Sequence, residues 1–243
     1  MSSSSDPLLL IASHGTRSEI AQGAVLTLVG AVTRALAVAR PTTPVVNGYI
    51  DVQQPDVPSC LAATESNADV VIVPLLMSAG YHVQHDLANA VTGALPRRVR
   101  VTAALGPDPR LAVILAERLA ECGLRDDDSI VLAAAGSSDT NAIADCHTAG
   151  EHLAALLGRP VTVAFIAAAK PKLAVAVAEA RTRKPESRVV VASYLLAPGT
   201  FAGFANASGA DIVSSPLLVE GHEPPTALVQ IVIDLYYKAA ASE

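Results

Sequence analysis

The sequence predicts an α/β protein built as two tandem lobes, each a parallel sheet flanked by helices, related by an internal duplication. Three observations predict it. Strand-length apolar runs alternate with Ala-rich runs at helical period along the 243 residues. The alternation pauses once, at Gly123–Ser129, and restarts. The residues ending the first-half strands recur in the second half with the same Gly and Pro punctuation.

The elements follow in order. Pro7–Ala12 is short and wholly apolar, as a strand buried on both faces should be. Residues 18–40 run at helical period. Pro44–Ile50 reads as a strand, and Pro58–Asn67 as a helix with Pro in its first turn. Asp69–Leu76 is a strand, His82–Leu95 a helix, Arg98–Ala104 a strand and Pro109–Cys122 an amphipathic helix. A βαβα rhythm implies a parallel sheet covered by helices. After the acidic stretch Gly123–Ser129, read as a solvated linker, strands are expected at 129–134, 160–166, 188–195 and 211–213. Helices are expected at 140–158, 171–184 and 225–240. The lobes are therefore placed at 1–124 and 125–243, and each is flavodoxin-like in its strand–helix order.

Composition narrows the partners. The chain is 51% hydrophobic and 16% charged, ample for a packed core. Aromatics are 3% and Trp is absent, which argues against stacking platforms for single-stranded nucleic acid. The net charge of −6 argues against a phosphate-backbone footprint. No uninterrupted apolar run approaches the ~18 residues of a membrane span. The leader MSSSSDP has no basic n-region or cleavage site, so a frayed, unprocessed start is expected. Three scattered cysteines, Cys60, Cys122 and Cys146, form no CxxC pair, and a reducing cytoplasm fits them. Any metal chemistry then falls to His, Asp or Glu.

The duplication is unequal. Leu9–Thr16 lies over Ile130–Ser137, Gly48–Asp51 over Ala164–Ala167, and Val73–Leu76 over Ser193–Leu196. His14 is replaced by Ala135 and Asp51 by Ala167, and His82 faces Phe201 after a one-residue gap. Both halves keep what a fold requires, but only the first keeps these titratable groups at its strand ends. Ligands of open α/β sheets bind outside the carboxyl ends of the strands, so chemistry is expected on residues 1–122.

Three side chains then stand out. His14 follows the first strand, with Gly15 permitting a tight turn. His82 follows the third, after Gly80, and Asp86 is one helical turn on. Asp86 reads either as a carboxylate orienting the His82 imidazole or as an ordinary first-turn acid. His85 is at i+3 from His82 and belongs to the same turn. Asp51 ends the second strand, where Asp also serves as a turn former. Two imidazoles and one carboxylate without thiolate suit a borderline divalent metal such as ferrous iron, cobalt, nickel or zinc.

These residues resemble the class II tetrapyrrole chelatases, specifically the sirohydrochlorin ferro-/cobaltochelatase family in its long, two-lobe form. The resemblance rests on Ser13-His14-Gly15-Thr16-Arg17, on Gly48–Asp51 with Gln54-Pro55, on Val73–Leu76 running into Gly80-Tyr81-His82 and Asp86, and on Leu105-Gly106-Pro107. It implies that His14 and His82 bind the incoming metal and help remove pyrrole protons, with Asp51 catalytic beside them. The family usually has Glu where this chain has Asp51. It also implies a chelatase-like fold, a divalent metal (ferrous iron or cobalt) as substrate, no organic cofactor and a tetrapyrrole partner. Such a polycarboxylate needs local donors on a net-acidic protein. Arg17 is one, the Ala135–Ser138 turn with Ser137 another, and Gly80 shapes the loop beside them. The Ser137 turn also reads as a plain helix cap.

Sirohydrochlorin ferrochelatase is thus the expected activity. A cobaltochelatase and a non-catalytic tetrapyrrole or metal carrier stand as alternatives. A hydrolase lacks a nucleophile elbow. A monomer is expected, because the second half supplies a partner lobe, and pairing through apolar helix faces is the alternative. The Arg97-Arg98-Arg100 cluster reads as a solvated loop; His147, His152 and His222 are assigned no function.

Overall fold

A computed structural model describes residues 6–65, 68–78, 87 and 97–242. The first sheet comprises β1 (Leu8–Ser13), β2 (Val45–Tyr49), β3 (Val70–Pro74) and β4 (Val99–Val101), in the order β2-β1-β3-β4. The second comprises β5 (Ser129–Ala134), β6 (Val161–Phe165), β7 (Val189–Tyr194) and β8 (Ile212–Val213), in the matching order β6-β5-β7-β8. All pairings are parallel. The helices are α1 (Glu19–Ala39), α2 (Val57–Ala63), α3 (Pro109–Glu121), α4 (Thr140–Leu157), α5 (Leu173–Arg183), α6 (Thr200–Asn206) and α7 (Thr226–Ala240). The expected helix at His82–Leu95 lies, apart from Leu87, outside the described residues.

The duplication extends to the backbone. Ile50 N–H donates to Ser13 O at 2.8 Å, and Ile166 N–H to Ala134 O at 2.9 Å. Tyr49 N–H meets Pro55 O at 3.0 Å, and Phe165 N–H meets Pro171 O at 2.9 Å. Short polar side chains start four of the helices: Ser18, Asp56, Asp108 and Asp139 each accept a first-turn N–H.

Because side chains alternate across a strand, each sheet buries two faces. Leu8, Leu10 and Ile72 pack on α2 through Val57 and Leu61. Val131, Ala133 and Val191 pack on α5 through Leu173 and Val177. The opposite faces, with Leu9, Ile11, Leu132 and Tyr194, share one continuous core between the sheets, filled by α1, α3, α4 and α7.

Helices of each half reach across that core. From α3, Arg118 donates to Pro216 O at 3.3 Å and Leu217 O at 3.0 Å. From α7, the Tyr236 hydroxyl donates to Pro7 O at 2.7 Å. The α7 helix is also tied to α3 by the Arg110–Asp234 pair at 2.6 Å. The two lobes are thus fastened to each other by elements exchanged in space.

Three sequence expectations change. By length and composition α1 is apolar enough to cross a membrane. No uninterrupted apolar run marks it, because Glu19, Gln22, Thr27, Thr33 and Arg34 punctuate a stretch otherwise made of small and aliphatic residues. Here its Ala24, Leu28, Val32 and Leu36 stripe is seated in the shared core. The acidic linker is only partly solvated: Asp128 is 3% exposed and pairs with Arg188 at 2.6 Å. The Arg97–Arg100 cluster is also structural. Arg97 donates to Thr64 O at 3.4 Å, and Arg100 lies 4.0 Å from Asp69, both at the amino ends of the strands.

Candidate functional site

In-register pairing sets Ser13 beside Tyr49 and Ala12 beside Pro74, so the loops after β1, β2 and β3 emerge at one sheet edge. His14 is the first residue past β1 and is exposed. Its carbonyl accepts from Asp51 N–H at 3.2 Å and Val52 N–H at 3.3 Å. Gly15 has φ +87°, and a Cβ there would stand 3.1 Å from Gln53 N. Only glycine follows His14 without strain in so close a backbone approach. Gly136, its counterpart in the duplication, has φ +94°.

Two glutamines, not singled out by sequence reasoning, hold this loop. Gln53 Oε1 accepts from Thr16 N–H at 2.9 Å, and Gln22 Nε2 donates to Thr16 O at 2.8 Å. For Gln53 the signal was the Val-Gln-Gln-Pro segment after Asp51, while Gln22 lies in the first turns of α1. Gln there lacks the charge that draws attention, yet its amide both donates and accepts.

A cavity of about 840 Å³ opens between the lobes. That lies toward the upper end of ligand pockets, which span roughly 300–1,000 Å³. One wall is the His14–Arg17 loop with Gln22 and Gln53; Leu75–Ser78 follow β3. The facing wall is the Ala135–Ser138 turn and residues 195–201. Ser137 Oγ accepts from Asp139 N–H at 3.0 Å, while Asp139 caps α4. The helix cap read at Ser137 therefore belongs to Asp139, and the Ser137 O–H is left able to donate.

The cavity floor is kept neutral. The Tyr194 hydroxyl donates to Met77 O at 3.2 Å, and burial pushes this phenol above its ordinary range. Burial likewise pushes the Cys146 thiol up to about 11, so it is protonated at neutral pH and offers no thiolate ligand. Read from sequence as a small core residue, Cys146 is buried and also reaches the cavity wall.

Among the described residues, the lining contains one imidazole, His14, and one guanidinium, Arg17, and no carboxylate. Asp51 adjoins His14 through the backbone, but its exposed side chain is not part of the lining. Gly80, His82, His85 and Asp86 lie outside the described residues. Among those described, no three His, Cys, Asp or Glu side chains are grouped to hold a metal.

Two parallel α/β lobes facing each other across a cleft at their strand ends define the class of two-lobe chelatase-like proteins. SirB from Bacillus subtilis with Fe3+ superposes with a TM-score of 0.80 at 18% identity, over 97% of this chain and 96% of that one. Sirohydrochlorin chelatase SirB from Bacillus subtilis subspecies spizizenii, in complex with cobalt, gives 0.70 at 16% identity, over 97% and 95%. CbiX, the terminal enzyme of sirohaem biosynthesis in denitrifying bacteria, gives 0.64 at 20% identity, over 97% and 100%. Residues 8–122 and 129–204 match the CbiX family model, and the chain belongs to that family, within the class II chelatases. Over 76 residues it is 30% identical to a sirohydrochlorin cobaltochelatase of Sulfurisphaera tokodaii, a match that spans 30% of this chain and 63% of that relative.

Proposed function

We propose that this protein is a sirohydrochlorin chelatase that inserts ferrous iron, with cobalt as the alternative ion. The observation that carries the reading is the charge pattern of the cavity. A net-acidic chain presents, among its described lining residues, a guanidinium and an imidazole with no carboxylate in an otherwise largely apolar cleft. A flat ring edged with carboxylates matches such a surface, with its apolar faces on the walls and its acids on the donors. Family membership and the relatives' names point the same way.

The reaction exchanges two inner pyrrole protons for one divalent ion, which leaves with the product. His14 presents the metal through a neutral ring nitrogen and, once the metal has moved, accepts a proton. His82 shares both duties, Asp86 orients it, and Asp51 is an auxiliary base at the rim. Ligands that exchange readily suit an ion that must depart, whereas a closed thiolate cage would retain it. Arg17, Ser137 and the N–H groups of the Ala135–Ser138 turn hold the ring carboxylates, with Gly80 in the same substrate-binding set. No organic cofactor enters. The protein acts as a cytoplasmic monomer, its second lobe closing the cleft.

The test is anaerobic incubation with sirohydrochlorin and ferrous iron, cobalt or nickel at limiting protein, following the Soret band. A chelatase converts many equivalents, fastest with iron. Conversion stopping at one equivalent per chain indicates a carrier and overturns the assignment.

A further inference from the structure

We propose that Phe201 packs its ring on the face of the bound macrocycle, so that the lobe without the imidazoles acts as the gripping surface. This rests on the tetrapyrrole reading of the cavity. The chain has three phenylalanines and no tryptophan. Phe165 is fully buried in the core, but Phe201 and Phe204 are 41% and 57% exposed and belong to no core cluster. Fold stability does not account for a pair of exposed aromatics in so aromatic-poor a chain.

Their placement does point to a ligand. Phe201 lies in the first turn of α6 and lines the cavity. Two residues earlier the loop runs beside α1, where a Cβ at Gly199 would stand in ordinary contact with Ala21 Cβ, at 3.8 Å. Phe201 therefore stands on the wall facing the His14 loop, near the point where the two walls meet. Phe204 meets it edge-on, with centroids 6.1 Å apart at 77°. A T-shaped pair of this kind braces the ring it supports.

The duplication supplies the last step. With a one-residue gap, Phe201 falls where the first half has His82. A phenyl ring can neither ligate a metal nor take a proton, but it covers a flat π-surface well. The same strand-end position thus serves proton and metal chemistry in one lobe and apolar contact in the other.

The experiment measures metal-free sirohydrochlorin binding and steady-state kinetics for the parent, Phe201→Ala and Phe201→Tyr. Phe201→Ala is expected to weaken binding and raise the tetrapyrrole KM by about tenfold, the scale of one lost ring-on-ring contact. The metal KM and the melting temperature stay at parent values. Phe201→Tyr, which keeps the flat face, stays within about twofold of the parent. If the parent binds sirohydrochlorin and Phe201→Ala binds it equally, Phe201 has no gripping role and the chelatase reading survives. A parent that does not bind sirohydrochlorin overturns both.

Discussion

The Tyr194 hydroxyl, at the end of β7, donates to the Met77 carbonyl, just past β3, and so joins the two sheets directly beneath the cavity. The contact exists because Gly106 has no side chain: a Cβ there would collide with the hydroxyl. Tyr194→Phe should cost about 1 kcal/mol, because it leaves Met77 O unpaired. For a chain of this length that lowers Tm by roughly 2–4 °C. Gly106→Ala should cost about 1–3 kcal/mol by overpacking. The double variant should lose somewhat less than the sum of the two, because Tyr194→Phe removes one of the two oxygens that the new methyl group would strike, the other being Met77 O. Thermal denaturation of all three checks this, and strict additivity would contradict it.

Gln53 fixes the loop that follows His14 without reaching the core. Gln53→Ala should lower kcat about tenfold, since small misplacements of a reacting group are costly. Stability should fall by only about 1 kcal/mol, the loss of one part-buried hydrogen bond. Parallel activity and melting measurements separate the two effects. An equal fall in activity for Thr27→Ala, whose hydroxyl bonds only within α1 at an exposed site, would argue against a specific role for Gln53.

Acid stability should depend on Asp128. Its hydrogen bond from Arg188 holds this carboxyl below the ordinary carboxylate range, helped by Arg125 N–H at 2.7 Å. A carboxyl depressed in the folded state binds protons more readily when unfolded. Its contribution is therefore full above the unfolded value of about 3.9 and fades as pH falls toward the folded one. Asp128→Asn should cost about 3 kcal/mol at pH 7. The gap between variant and parent should narrow below about pH 4. Denaturant melts across pH 3–7 test it, and a pH-independent gap would contradict the pairing.

Strand ends were legible because apolar runs stopped by Gly and Pro leave few alternatives, and β5 begins and ends where its SIVLAA run does. The His14, Arg17 and Ser137 positions were legible through the same punctuation, since a strand end fixes which edge a residue joins. Helix α6 was missed because TFAGFAN is a seven-residue turn with a central Gly and no apolar period. The crossing of α3 and α7 was invisible, because an amphipathic stripe says that a helix is buried but not against which sheet. Asp128 was misread because its neighbours Asp126 and Asp127 are exposed, and a run of like residues conceals the one whose partner, Arg188, is 60 residues away.

The rim position of Asp51 ranks it below His14 in the proposed chemistry. Asp51→Asn should slow metal insertion by less than about tenfold, whereas loss of a proton acceptor in direct contact costs about a hundredfold or more. Both rates come from one assay, and an Asp51 effect as large as that of His14 would move the reacting centre out of the cavity.

The most direct measurement is the initial rate of ferrous insertion into sirohydrochlorin by His14→Ala, alongside metal-free sirohydrochlorin binding by the same variant. The account predicts a fall of about a hundredfold or more with ring binding retained. A variant that inserts iron at the parent rate would contradict it.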